Sequence, residues 1–149
     1  MEIRRYQEAD IPAVLAFERE LRTEDSWGWE IDEAYEQQVR RSFGDLRFQN
    51  ALSFLAVDQG CVIGRFDAAL ICSHFDGSVK AYLDWLCVLK RARHQGVAQA
   101  LLAQLRQTLR EEYQVDTLIA LMDSNPEAQR FYGSITGAMI RDEGIWMDC

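Results

Sequence analysis

The chain has 149 residues, a hydrophobic fraction of 48% and a formal net charge of −8 at pH 7. This length suits a single domain over residues 1–149, with enough apolar side chains for one core. The negative charge argues against nucleic acid and membrane surfaces as general partners, and it favours a cationic substrate. No apolar run approaches the ~20 residues that span a bilayer, and the N-terminus lacks the apolar segment of a signal peptide. We therefore expect a cytoplasmic protein.

The N-terminal third of the sequence predicts one strand and two helices. Residues 2–6 have the composition of a short strand, and residues 10–21 have helical periodicity, with Asp10 placed as the cap. Residues 22–32 show neither period and predict a loop. Residues 33–43 predict a second helix.

The pattern after residue 50 changes to strands that alternate with turns and then with helices. The first three strands are separated only by short turns, which indicates an antiparallel meander. The predicted elements are strands at 51–57, 61–72, 79–89 and 116–122, helices at 97–109 and 126–135, and two closing strands within 138–149.

A basic stretch at residues 90–94 runs into the third helix at Gly96. A helix start already carries a partial positive charge and unpaired N–H groups, so added cations there imply an anion. The N–H groups of residues 94–98 form a geometry that binds phosphate, and glycine allows close approach. The alternative is a solvated basic turn in which Gly96 only serves the change from strand to helix.

Two spaced motifs carry a resemblance to a known family. The pattern V-x-P-x-x-R-x-x-G-x-G/A is matched except that lysine replaces the proline, and N-x-x-A-x-x-x-Y follows after one helix and one strand. With the two motifs in this order, the sequence resembles the Gcn5-related N-acetyltransferase (GNAT) family. The matching residues are Val88, Lys90, Arg93, Gly96 and Ala98 in the first motif and Asn125, Ala128 and Tyr132 in the second.

The resemblance implies an α/β fold with a mixed, mostly antiparallel sheet of about six to seven strands and about four helices. It also implies acetyl-coenzyme A as cosubstrate, no metal, and direct transfer of the acetyl group to a primary amine; a homodimer stays open. The residues it assigns to cosubstrate binding are Val88, Arg93, His94, Gln95, Gly96, Val97, Ala98, Asn125 and Ala128.

The resemblance also implies catalytic roles. Tyr132 is the expected general acid that protonates the departing thiolate, and the Leu86 N–H is expected to stabilise the oxyanion. Taken without the resemblance, Tyr132 in a helical pattern is better explained as a core aromatic, because tyrosines are buried for packing more often than for chemistry. The sequence departs from the family at Gly137, which comes one residue late after Tyr132, so the helix end and the register of the final hairpin are open.

The resemblance also implies a general base on the strand that ends at the first motif, and Asp84 is the candidate. Strand alternation places it with Tyr82, Leu86 and Val88 on one face, in an apolar setting where a carboxylate needs a partner. Burial there is expected to make the carboxylate more basic. The alternative is a structural aspartate satisfied by an arginine or by backbone, and Asp67 on the preceding strand is the second choice for the base.

The predicted loop at residues 22–32 holds the candidate acceptor-binding residues Trp27, Trp29 and Glu30. Aromatic faces together with carboxylates bind cations, which favours a cationic small molecule as the acceptor. The alternative for this loop is a packed lid edge. For the whole protein the alternatives are an acetyltransferase acting on a protein N-terminus or lysine, and a coenzyme A-binding protein without catalysis.

Overall fold

The computed structural model describes residues 1–25, 30–140 and 147. The chain forms two compact units, Met1–Ile119 and Ala120–Cys149. The first unit contains a sheet with helices packed on it, and the described part of the second contains one short helix and its flanking turns. The single domain over residues 1–149 stays a prediction.

The α/β fold class is confirmed, with four α-helices in the described residues. Asp32 begins the second helix because its carboxylate accepts a hydrogen bond from the Tyr35 N–H at 2.8 Å, which satisfies one unpaired donor of the first turn. Asn125 caps the fourth helix in the same way through the Ala128 N–H, also at 2.8 Å. The helices are α1 (Ile11–Asp25), α2 (Glu33–Ser42), α3 (Val97–Tyr113) and α4 (Pro126–Gly133).

The described strands form one open sheet in the order in which they occur along the chain. The first four strands pair antiparallel, as the meander predicts. The fifth strand lies beside the fourth. Just before the fifth strand begins, the Thr117 carbonyl accepts a hydrogen bond from the Ala81 N–H of the fourth strand at 2.9 Å. The strands are β1 (Glu2–Arg5), β2 (Ala51–Asp58), β3 (Cys61–Cys72), β4 (Val79–Val88) and β5 (Leu118–Ala120).

Helices α1 and α3 cover opposite faces of the sheet. One face carries Leu55, and the apolar side of α1 packs against it through a cluster that includes Val14 and Phe17. The other face carries Gly64, where an added Cβ would lie 3.0 Å from Val97 Cγ1 and 3.2 Å from Leu101 Cδ1. Glycine at this position therefore lets the first turn of α3 approach the strand, which fixes where that helix starts.

The described part of the chain has fewer and shorter strands than predicted. The sheet has five strands, compared with the six to seven expected, and β5 is shorter than the predicted 116–122. Residues 138–140 form no strand, and the rest of the predicted closing hairpin lies outside the described residues apart from residue 147.

Two predictions about α1 are wrong. The helix continues to Asp25, so residues 22–25 are helical and do not belong to the predicted loop. Arg22 supports this extension through an ion pair with Glu18 one turn earlier, at 3.1 Å. Asp10 does not cap α1: its carboxylate accepts hydrogen bonds from Arg4, at 2.6 Å and 2.7 Å, and from the Gln7 N–H, because a short 3-10 turn precedes the helix.

A β-bulge in β4 changes which residues share a face. Asp67 pairs with Trp85 and the next residue, Ala68, pairs with Leu83, so Asp84 has no partner on β3. The extra residue shifts the alternation by one position. Tyr82 therefore shares a face with Trp85, and the prediction that grouped Tyr82 with Leu86 and Val88 is wrong.

Candidate functional site

The turn between β4 and α3 has the backbone geometry of an anion site. His94 and Gly96 both have positive φ, at 59° and 81°, and they turn the chain into the helix. No side chain of the described residues caps the start of α3, so its first N–H groups keep their hydrogen-bonding capacity. A Cβ on Gly96 would meet nothing within 4 Å, which leaves open space in front of these donors.

The basic side chains of this turn contact other parts of the protein. Arg91 pairs with Glu20 of α1 at 2.9 Å, and both side chains are about half exposed. The Lys90 N–H donates to the Glu24 carboxylate at 2.8 Å, and its ammonium contacts the Glu24 carbonyl. Arg93 donates from Nε to the Val88 carbonyl at 2.9 Å. The anions implied by Lys90 and Arg91 are thus supplied in part by α1.

The other predicted cosubstrate residues in and beside this turn differ in how deeply they are buried. Val97 is buried against the sheet and Ala98 is half-buried, so their contribution to a ligand would be their backbone N–H groups. Gln95 is exposed and its side-chain amide donates to the Arg91 carbonyl at 2.8 Å, which stabilises the turn itself. Val88 is buried at the end of β4.

Asp84 is exposed, and the expectation that it is buried is wrong. The bulge explains the difference, because an unpaired extra residue need not follow the inward alternation of its neighbours. Asp84 forms no ion pair or hydrogen bond with any residue that the structure describes. It differs in this from Asp67, Glu18 and Glu20, which all have arginine partners.

Leu86 and Val88 lie on the last part of β4, which extends past the end of β5. β5 begins beside Ala81 and ends after three residues, while β4 continues to Val88. The three residues of β5 therefore cannot pair with the last part of β4 along that edge. Leu86 pairs with Phe66 on β3.

A buried charged cluster lies between α1, α2 and β3. Glu18 is 2% exposed, and its carboxylate binds Arg65 at 2.7 Å, Arg22 at 3.1 Å and the Tyr35 hydroxyl at 2.6 Å. Sequence reasoning missed this cluster. The available signal was the position of Glu18 on the same helical face as the apolar residues Val14 and Leu21.

Asp67 belongs to the same cluster. Its carboxylate lies 2.7 Å from Arg65 Nε and 2.9 Å from the Nη2 donor of the same guanidinium, and it also accepts from the Ser53 hydroxyl. A carboxylate that is paired with a guanidinium and accepts two hydrogen bonds is less available to an external amine. The geometry therefore favours Asp84 over Asp67 as the base.

The cluster shifts the titration of its members. Burial raises the pKa of Tyr6 to about 12, while the nearby Arg65 opposes this shift. Burial and the hydrogen bond to Glu18 raise the pKa of Tyr35. Burial alone would lower the pKa of Arg65, but the charges of Asp67 and Glu18 outweigh it and raise that pKa.

The predicted acceptor-binding residues are only partly described. Trp27 and Trp29 lie outside the described residues. Glu30 is exposed and has no described partner. Two further acids around this loop have structural roles, because Glu24 binds Lys90 and Asp32 caps α2.

The second unit presents the other predicted motif on α4. Asn125 and Ala128 are joined by the capping hydrogen bond at the helix start, and Tyr132 lies in the last turn with its ring 5.1 Å from that of Phe131. The late Gly137 has a φ of 80° and lies within a turn in which the Ala138 N–H donates to the Ile135 carbonyl. This turn accommodates the extra residue after α4.

The residues that the structure describes contain no group of three or more His, Cys, Asp or Glu side chains arranged to hold a metal ion. None of their helices combines the length and the apolar composition that crossing a membrane requires.

An α/β domain whose strand leads into an uncapped, glycine-started helix suits a cosubstrate that carries phosphate. The model of the acetyltransferase (GNAT) family matches residues 14–137, which is most of the chain. The chain therefore belongs to the GNAT acetyltransferase family, and the resemblance drawn from the two motifs is confirmed. A comparison with curated protein sequences finds no significant match.

Solved structures of low sequence identity share the fold. An aminoglycoside acetyltransferase, meta-AAC0020, from an uncultured soil metagenomic sample, in complex with trehalose, is 17% identical with a TM-score of 0.82, covering 99% of this chain and 95% of the other. A ribosomal-protein-alanine N-acetyltransferase from Brucella melitensis is 16% identical with a TM-score of 0.76, covering 99% and 98%. A predicted acetyltransferase with acetyl-CoA from Clostridium acetobutylicum is 16% identical with a TM-score of 0.72, covering 99% and 95%.

The raised pKa of Tyr6 predicts a loss of stability in alkali. The phenol ionises in the unfolded chain near pH 10 and in the folded protein near pH 12, so its contribution to folding is complete below pH 10 and disappears as the pH rises towards 12. Tyr6→Phe removes this titration. Denaturant unfolding followed between pH 8 and 12 should show a smaller decline for the variant.

The same substitution should cost little at neutral pH, because the Tyr6 hydroxyl has no hydrogen-bond partner among the described residues. Tyr113→Phe, in the last turn of α3, is the control for removing a tyrosine elsewhere. Parallel declines for Tyr6→Phe and the unmodified protein would contradict the assignment.

Proposed function

We propose that the protein is an acetyl-coenzyme A-dependent N-acetyltransferase that acts on a primary amine of a cationic small molecule. The observation that carries the proposal is the position of Asp84, an exposed carboxylate without a described partner, on the strand that is followed by the turn to the uncapped start of α3. The family membership supports the reaction type. The low identity of the structural neighbours leaves the acceptor to be argued from the residues of this chain.

The turn at residues 94–98 would bind the pyrophosphate. No side chain of the described residues caps the start of α3, and an added Cβ on Gly96 would meet nothing within 4 Å, so a phosphate could approach the backbone N–H groups there. Val88, on the last part of β4, would pair with the pantetheine arm through its backbone. Arg93 would support the turn from within, because its guanidinium holds the Val88 carbonyl.

The chemical step requires a neutral amine, a stabilised oxyanion and a protonated leaving group. Asp84 attracts the ammonium group and accepts its proton, directly or through a water. The nitrogen then forms a bond to the thioester carbonyl carbon while the Leu86 N–H stabilises the charge on the oxygen. When the carbon–sulfur bond breaks, Tyr132 donates its phenolic proton to the sulfur, and the second proton, which the nitrogen loses as the amide forms, returns to the tyrosinate through water.

The acceptor region supports a cation over a neutral acceptor. Asp84 and Glu30 are exposed acids without described ion pairs, and the net charge of −8 adds a long-range attraction. Trp27 and Trp29 would stack on the acceptor if they line the same site. Acetylation of a protein N-terminus remains the second candidate, favoured by the fold shared with the ribosomal-protein-alanine N-acetyltransferase.

The phosphate assignment predicts that Gly96→Asp weakens acetyl-coenzyme A binding by about ten-fold or more, because it adds a like charge where the pyrophosphate would lie. Isothermal titration calorimetry measures the affinity. Gly77→Asp is the matched control, since Gly77 also has positive φ and open space around its Cβ position but lies in the turn between β3 and β4. Equal affinities for the two variants would contradict the site.

The general-acid assignment predicts that Tyr132→Phe lowers kcat by about 100-fold with acetyl-coenzyme A affinity nearly unchanged, because the proton is transferred only in the transition state. Steady-state kinetics and calorimetry measure the two quantities, with Tyr113→Phe as the control. Wild-type turnover in Tyr132→Phe would mean that water or another group protonates the thiolate.

The function itself is tested by Asp84→Asn with sisomicin, spermidine and an alanine-starting peptide as acceptors. We expect acetyl transfer to sisomicin, to spermidine or to both, and little transfer to the peptide. At neutral pH the rate should fall by about 100-fold in Asp84→Asn, and the loss should shrink as the pH rises, because more of the amine is already deprotonated. Release of the coenzyme A thiol across a pH series measures the rate.

Asp116→Asn is the control for this experiment, because it removes one exposed negative charge from the segment between α3 and β5 and not from β4 itself. It separates the loss of a base from weaker attraction of the cation. A preference for the peptide would favour the second candidate, and no transfer to any acceptor would favour a coenzyme A-binding protein without catalysis. Equal rates for Asp84→Asn and Asp116→Asn would remove Asp84 from the mechanism.

A further inference from the structure

We propose that Arg65 is a positioning residue, which holds the β4 bulge through Trp85 and so determines where the Asp84 carboxylate stands. The inference rests on the proposed function, in which Asp84 is the base. It concerns a residue that touches neither the turn at residues 94–98 nor Asp84 in any described contact.

The Arg65 guanidinium lies between two aromatic rings. Its central carbon is 4.9 Å from the centre of the Tyr6 ring and 5.7 Å from the centre of the Trp85 ring, within the range of cation–π contacts. The side chain is only 14% exposed. A planar cation that is largely removed from water fixes the rings on both sides of it, and one of these rings belongs to the residue after Asp84.

The register of the sheet connects the same guanidinium to the bulge by a second route. Asp67 lies directly opposite Trp85, at the point where the pairing skips Asp84, and its carboxylate is held by two nitrogens of Arg65. Trp85 is thus constrained through its ring and through its strand partner. Asp84 has no partner on β3, so its position depends on the residues beside it.

Glu18 fixes the far side of the guanidinium. Its carboxylate, 2% exposed, binds Arg65 at 2.7 Å and ties β3 to α1. Arginine is required for this arrangement, because lysine cannot bind two carboxylates through a rigid fork and stack on rings at the same time. Arg65→Lys therefore keeps the charge and removes the positioning.

The experiment compares Arg65→Lys with Tyr35→Phe. Tyr35→Phe removes a hydrogen bond to Glu18 from the same cluster, and no hydrogen bond, ion pair or ring contact among the described residues joins Tyr35 to β4, so this variant reports a purely structural loss. Amide hydrogen exchange of residues 84 and 85 measures the bulge without any acceptor. Turnover of sisomicin or spermidine, whichever is acetylated, gives kcat and the KM for acetyl-coenzyme A.

We expect faster exchange at residues 84 and 85 in Arg65→Lys, a kcat lower by about ten-fold, and a nearly unchanged KM for acetyl-coenzyme A. Tyr35→Phe should lower the melting temperature without changing either the exchange at these residues or kcat. If Arg65→Lys does not fold, Trp85→Leu replaces it, since this change removes the stacked ring and leaves the ion pairs in place.

The proposal is overturned if the Arg65 or Trp85 variant changes neither the amide exchange at residues 84 and 85 nor kcat. It is equally overturned if Asp84→Asn has a lowered kcat while the Arg65 or Trp85 variant changes the exchange and leaves kcat as in the unmodified protein. It is also overturned if Tyr35→Phe lowers kcat equally, because the effect would then follow from general loss of stability. Failure of the proposed function has a different signature: Asp84→Asn with wild-type turnover, whatever the exchange in Arg65→Lys.

Discussion

The buried carboxylate of Glu18 is the constraint on which the arrangement of the first unit depends. A carboxylate removed from water is costly unless donors replace the lost hydration, and here the donors come from α1 itself, from α2 and from β3. Helix α2 has no fully buried residue, so the Tyr35 hydrogen bond and an edge contact between Phe43 and Tyr6 provide much of its specific attachment. Moving any of these elements would leave Glu18 or Arg65 charged and partly unsatisfied.

The acids of α1 and of the sheet are largely taken up by contacts within the protein. Glu18 and Asp67 are matched by Arg22 and Arg65, so the interior between α1 and the sheet is close to neutral. The acids in the last part of α1 also contact the turn after β4, since Glu20 forms an ion pair with Arg91 and the Glu24 carboxylate accepts a hydrogen bond from the Lys90 backbone N–H. Helix α1 therefore contacts both the sheet and the turn between β4 and α3, at which an anion would bind.

Much of the fold could be predicted because periodicity is local. The strands of the meander, the helix that starts at Gly96 and the capped start of α4 all follow from short patterns. The bulge at Asp84 could not be predicted, because strand alternation contains no mark for an extra residue, and one extra residue exchanges the faces of Tyr82 and Leu83. The pairs between Glu18 and Arg65 and between Glu20 and Arg91 join distant segments, and they become visible only when the sheet and α1 are packed together.

The distinction between paired and unpaired acids decides which carboxylate a cation would meet. A substrate ammonium gains little from a carboxylate that already has a guanidinium, because it would have to displace an internal partner that is held at a fixed distance. Asp67 is such a carboxylate, whereas Asp84 is exposed and has no described partner. The bulge produces this difference between two aspartates on neighbouring strands: it takes Asp84 out of the pairing of the sheet while the adjacent Trp85 stays packed against Arg65. An exposed carboxylate on an otherwise anchored strand can attract a cation and still have a defined position, which is what proton transfer from a bound amine requires.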